Sequence, residues 1–273
     1  MSQTIRSFAA GAAALVAGAA AASLFASRRT ETPRAAAASR YAPPKELRDR
    51  VRQLPLYARV TSLPEFREAP FHPLLVDDLE NPADHPFLPF MKSPEDIEGT
   101  LLRGRLLFRP GGVEFGSGWL SKDHQTLVMF LHLGDMICGH PGIVHGGLIS
   151  AIFDDCMGYN FFADAAGKHN GFTASLKVDY RNKMPAGRTI AVCVRIARRE
   201  GRKVFLSAEA HDAEVEFVPF DEPKTEADKL AHAQAHPFAH LVGKESTLFA
   251  QAEALFIIPR GQGPDAKPVP ATA

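Results

Sequence analysis

HPGIVHGGLISAIFDD, residues 140–155, decides the reading of this chain. Its first half is a glycine-rich loop. Its second half runs on into LISAIFDDCMGYNFF (148–162), which is apolar on nearly every side and predicts a buried helix, not a surface one. His145, Gly146 and Gly147 open that helix. Two glycines let a ligand approach the backbone without a Cβ in the way. The first helical N–H groups have no intrahelical partner, and the helix dipole adds partial positive charge there. A carbonyl oxygen gaining negative charge would be stabilised at that spot, with the His145 side chain as a second donor. Asp154 follows Gly147 by seven residues, so the two point to almost the same side of a helix, whereas Asp155 is rotated away. A carboxylate on an apolar helix is costly unless it has partners or a task, and a general base is such a task. Each feature has an ordinary alternative: a tight turn, a structural histidine, a capping aspartate. The fixed spacing of all three favours the chemical reading.

Strands surround this helix in sequence. LLRGRLLF (101–108) is followed by the turn signal RPGG, and VEFGSGWL (113–120) and TLVMFLHL (126–133) are separated by SKDHQ. After the helix, TASLKVDYR (173–181) alternates, with Ala174, Leu176, Val178 and Tyr180 on one face and Thr173, Ser175, Lys177, Asp179 and Arg181 on the other. TIAVCVRI (189–196) and KVFLSAEAH (203–211) form a pair around ARREGR, and a last strand lies near 248–258. The order predicts an α+β fold, an antiparallel sheet wrapped around one helix.

The remaining chain reads as additions to this domain, which spans residues 98–260. Residues 7–27 carry no charge, and about 20 apolar residues just span a ~30 Å hydrocarbon core. Arg6 precedes the run and Arg28 and Arg29 follow it, so 1–45 reads as a membrane anchor and linker, or as a cleaved mitochondrial presequence. PKELRDRVRQL (44–54) predicts a short helix, but the prolines of 55–99 make 46–97 an irregular extension over the domain, without a second core. Residues 220–244 are a polar, histidine-containing insertion, and 261–273 a disordered tail. Lys and Arg total 31, as do Asp and Glu, so no basic excess points to nucleic acid. Three widely spaced cysteines form neither a disulfide framework nor a zinc knuckle.

At this point the sequence resembles a known family. HPGIVHGGLISAIFDD is similar to the signature of the PaaI-like hotdog thioesterases, a His-Gly-Gly opening the central helix with an acid nine positions after the His. GHPGIVHGG, FTASLKVDYRNKMP, REGRKVFLSAEA and AEALFIIP resemble, in the same order, the fungal and mammalian THEM4-like (thioesterase superfamily member) branch of acyl-coenzyme A thioesterases. The resemblance implies a hotdog fold, a homodimer or dimer of dimers and hydrolysis of fatty acyl-CoA, and no cofactor is expected; the N-terminal segment sets the expected compartment, an anchor in the mitochondrial inner membrane or, after presequence cleavage, the matrix. Carried over by position, Asp154 activates water or attacks the thioester, Gly147 N–H and His145 polarise its carbonyl, and Thr173 positions the water or carboxylate, across a dimer interface. The run Arg181-Asn182-Lys183-Met184-Pro185 is longer before its proline than in some members, and the 220–244 insertion is also a departure.

CoA phosphates call for basic residues near the pocket mouth. Gly146, Arg181, Lys183, Arg202 and Lys203 are the substrate-binding candidates, with Arg198 and Arg199 beside them. His232, His236 and His240 recur every fourth residue, but Pro237 would break a helix before His240, so no metal site is expected. Cys156 has no evident basic partner to activate it. Two rival functions share the pattern: a hotdog enoyl-CoA hydratase or dehydratase, and a non-catalytic acyl-binding module.

Overall fold

The computed structural model describes residues 41–69, 107–164, 171–221, 225, 227–228 and 236–260, all within the unit Tyr41–Ala273. The proposed membrane segment 7–27, the first six residues of LLRGRLLF, His232 and the tail lie outside the described residues. In chain order the elements are helices α1 (Lys45–Arg52) and α2 (Pro55–Ser62), then strands β1 (Phe66–Ala69), β2 (Val113–Ser121) and β3 (Thr126–Leu133). A small hairpin, β4 (Cys138–His140) and β5 (Ile143–Val144), leads into the long helix α3 (Gly146–Asp164). Strands β6 (Phe172–Tyr180), β7 (Arg188–Glu200) and β8 (Lys203–Asp212), the short helix α4 (Ala239–Val242) and β9 (Leu248–Ile257) complete the domain.

Among the described residues seven strands form one antiparallel sheet in the order β1-β2-β3-β7-β8-β9-β6. Helix α3 packs against β3, β6, β7, β8 and β9. This is the α+β hotdog arrangement, a long sheet around one helix. Its packing follows from side-chain size. Ile149, Ile152, Phe153, Met157 and Phe161 of α3 are buried, and much of the sheet beneath them is alanine: Ala208, Ala210, Ala250, Ala252 and Ala254. Small side chains leave room for a bulky helix at normal packing density.

β3 and β7 explain why their sequences run apolar without alternation. Leu127, Met129, Leu131 and Leu133 face α3, while Val128 and Phe130 face a second core on the opposite side. Ile190, Val192 and Val194 likewise face α3, with Ala191 and Cys193 behind. A strand covered on both faces needs apolar residues at every position.

The second core corrects the reading of irregular chain over 46–69, the described part of 46–97. Leu56, Tyr57 and Val60 of α2 pack with Phe130 and with Phe238, Leu241 and Val242 around α4. Pro55 occupies the first turn of α2, where its fixed φ suits a helix and its missing N–H is not needed. Part of the 220–244 insertion is therefore apolar packing, not a polar loop. The β7–β8 turn is also tighter than ARREGR: the strands run on to Glu200 and Lys203, and Gly201 takes φ 56°.

Candidate active site

The chain enters α3 through a loop pinned from two sides. The Val144 N–H donates to Met184 O at 3.0 Å, and the His145 N–H to Ile137 O at 2.9 Å. His145 then caps the helix. Its carbonyl accepts from Leu148 N at 2.9 Å, and its Nδ1 accepts from the Gly147 N–H at 2.9 Å. An accepting Nδ1 places the proton of a neutral imidazole on Nε2. Two nearby glycines leave room for the ring: a Cβ on Gly147 would lie 3.1 Å from it, and one on Gly139 would lie 3.0 Å from its Cδ2. The imidazole thus sits on the N–H that the sequence assigns to the carbonyl, and meets that N–H as an acceptor. Polarising a carbonyl there requires the side chain to turn away.

Two turns further on, Thr173 Oγ1 donates to Asp154 Oδ1 at 2.7 Å. Period-two alternation puts Thr173 on the opposite face from Leu176 and Tyr180, away from α3. A β-bulge reverses this. Thr173 pairs with Phe256 and Ser175 with Leu255, so Ala174 is the extra residue. Phe256 faces α3, and Thr173 faces it too. The bulge therefore makes the Thr173–Asp154 hydrogen bond possible.

Gly147 and Asp154 share a side of α3, as their spacing predicts, but seven residues of helix separate them by about 10 Å. One carbonyl cannot touch both within a single chain. Among the described residues β6 lies at the end of the sheet, paired with β9, and it leaves Phe172 and Tyr180 68% and 53% exposed.

Residues 141–218 match the Thioesterase superfamily, a span that covers the loop, α3 and strands β6 to β8. The chain carries a Thioesterase superfamily domain. It is 30% identical to an uncharacterized mitochondrial protein of Candida albicans over 48% of this chain and 57% of that one. It is 33% identical to the acyl-coenzyme A thioesterase THEM4 of Xenopus laevis over 34% of this chain and 41% of that one. It is 27% identical to the uncharacterized mitochondrial membrane protein FMP10 of Saccharomyces cerevisiae, over 50% and 55%. The chain thus spans about half the length of the curated relatives it matches.

Within the thioesterase domain the basic candidates do not form one patch. Arg181 and Lys183 are exposed just beyond β6, at the end that meets the start of α3. Arg181 lies 3.7 Å from Asp179 Oδ2. Lys203 pairs with Ile257, which pairs with Phe172, so Arg202 and Lys203 sit at the other end of β6. The eight residues from Thr173 to Arg181 make that separation about 25 Å. Arg202 is engaged locally, its Nη1 donating to Ile258 O at 2.7 Å. Arg199 pairs with Asp164 at the far end of α3, and Arg198 with Glu200 at 2.5 Å.

Among the described residues no group of three or more His, Cys, Asp or Glu side chains is placed to hold a metal. His236 lies against the Phe220 ring, 5.0 Å between centroids, and burial lowers the pKa of His240. Burial pushes the Cys193 thiol well up, the opposite of what a thiolate nucleophile needs. Among the described residues no helix is long and apolar enough to cross a membrane.

Two polar residues beside the start of α3 escape the sequence reading. Tyr180 Oη donates to Gly146 O at 2.9 Å and lies 2.8 Å from Ser150 Oγ. Ser150 lies midway along α3 between Gly147 and Asp154. The available signal was Tyr180 ending the core face of β6, a residue with an apolar ring and a polar tip that wants a partner.

Proposed function

We propose that this domain hydrolyses acyl-CoA thioesters to free fatty acid and CoA. The observation that carries the reading is the 2.7 Å hydrogen bond between Thr173 and Asp154, on the helix opened by His145-Gly146-Gly147, in a Thioesterase superfamily domain. Thr173 fixes one carboxylate oxygen and leaves the other for a water molecule. The thioester carbonyl docks at the start of α3, with Gly146 allowing close approach and the Gly147 N–H donating to its oxygen once His145 turns aside. Water adds its oxygen to the carbonyl carbon while its proton passes to Asp154. The C–S bond then breaks, and the CoA sulfur leaves with a proton. Direct attack by Asp154, forming an anhydride that water then opens, uses the same atoms.

The separation of about 10 Å along α3 supports a site divided between two chains. A homodimer formed through the open β6 edge, its two copies antiparallel, places the Thr173 end of one strand beside the Tyr180 end of the other. Each site then takes its donor from one copy and its carboxylate from the other. The same arrangement brings Arg181 and Lys183 together with Arg202 and Lys203 around the CoA phosphates. The names of the relatives support a mitochondrial setting, with 7–27 holding the domain at a membrane.

Asp154→Asn tests the proposal. A fall of CoA release by at least a hundredfold, in a protein that stays folded, is expected; near wild-type rates remove Asp154 from the mechanism.

A further inference from the structure

We infer that Tyr180, assisted by Ser150, is a positioning residue that polarises the one amide whose N–H serves the thioester. The inference rests on the thioesterase reading above. The Gly146 carbonyl and the Gly147 N–H belong to the same peptide group. Tyr180 Oη donates to that carbonyl at 2.9 Å, and Ser150 Oγ lies 3.3 Å from it. Ser150 Oγ is also 2.8 Å from Tyr180 Oη. Using each proton once, the two shorter contacts are both made when Ser150 donates to Tyr180 and Tyr180 donates to Gly146.

A hydrogen bond received at an amide oxygen draws electron density from its nitrogen and strengthens the N–H as a donor. Chains of such bonds gain about 10–30% per bond. Tyr180 and Ser150 supply such a chain on one side of the peptide. On the other side the Gly147 N–H points at His145 Nδ1, 2.9 Å away, until a carbonyl takes its place.

Simple packing does not account for this tyrosine. It is 53% exposed, at the end of an edge strand, and its hydroxyl is directed at a backbone oxygen in the first turn of α3. The strand that carries Tyr180 also carries Thr173. One edge strand therefore serves the carboxylate at its start and the oxyanion donor at its end.

The test is a graded series at one position: Tyr180→Phe, wild type, and Tyr180→3-fluorotyrosine, a stronger donor of nearly the same shape. Two readouts are taken on the full chain: the amide proton shift of Gly147 with glycine labelled by nitrogen-15, and kcat and KM for acyl-CoA. Tyr180→Phe is expected to move the Gly147 amide upfield and lower kcat about two- to tenfold, the span of one ordinary hydrogen bond, with KM unchanged. The fluorinated variant is expected to move both the other way, and Ser150→Ala to give a smaller change in the direction of Tyr180→Phe. A Gly147 shift that ignores the series overturns the inference, and so does a change confined to KM, which would mean that Tyr180 touches substrate. A wild-type protein without turnover refutes the thioesterase reading instead, and the amide shift still decides the polarised peptide.

Discussion

Replacing Thr173 with valine removes a hydroxyl and keeps the β-branched shape that suits a strand. The hydroxyl donates to Asp154 Oδ1 at 2.7 Å. A hydrogen bond to a charged group contributes about 1.5–3 kcal/mol, and Thr173 is exposed, so about 1–2 kcal/mol is the fitting range at this site. At 1.4 kcal/mol per factor of ten, kcat should fall about five- to thirtyfold. Fold stability should hardly change, because an exposed residue that anchors no core contributes within about 0.5 kcal/mol. The assay is CoA release followed with a thiol reagent, beside a thermal melt. Thr173→Ser keeps the hydroxyl and should recover most of the rate. Equal rates for the valine and serine variants would refute the role of the hydroxyl, and with it the functional purpose of the bulge at Ala174.

Other parts of the molecule can be tested separately. Mixing a Gly147→Pro chain, which lacks the donor N–H, with an Asp154→Asn chain should restore about one quarter of wild-type turnover, since half of randomly paired dimers hold one intact site; no recovery after mixing and refolding together would place donor and carboxylate in the same copy. Phe153 is fully buried under the sheet, so Phe153→Ala should cost about 3–5 kcal/mol in urea unfolding, and a loss under about 1 kcal/mol would contradict the packing of α3. His132 lies under α1, with Arg50 Nη2 donating to its Nε2 at 3.2 Å and Thr189 Oγ1 3.1 Å from its Nδ1. Burial and Arg50 lower its pKa, outweighing Glu114 and Glu214. The unfolded chain therefore binds the proton more readily, so stability is full above about pH 6.5 and falls as pH drops through the window below it. His132→Gln should flatten that decline in melts taken between pH 7 and 5, and an unchanged slope would exclude His132.

The helix and the sheet were legible because their cores are simple. An apolar run before and after Gly146-Gly147 has only one place to go, and β3 and β7 carry apolar residues on both sides because both sides are covered. The second core was hidden by prolines. Pro55 starts a helix, yet in a proline-rich stretch it reads as punctuation. Family likeness put Thr173 at the water or the carboxylate across a dimer interface, whereas its hydroxyl meets Asp154 within one chain; alternation placed Thr173 on the wrong face, since a one-residue bulge leaves no mark in a period-two pattern. The basic residues were grouped by nearness in sequence, whereas the antiparallel sheet carries Arg181 and Arg202 to opposite ends of β6. Tyr180 was missed because its partner is a backbone oxygen, which no side-chain motif records.

The most direct measurement is steady-state CoA release by the full chain across C4 to C18 acyl-CoAs, with Asp154→Asn as its control. Turnover on at least one chain length, lost in the variant, is the predicted result. Absence of turnover on every chain length from a folded protein, or turnover that survives Asp154→Asn, would contradict the assignment of this domain as an acyl-CoA thioesterase acting through Asp154.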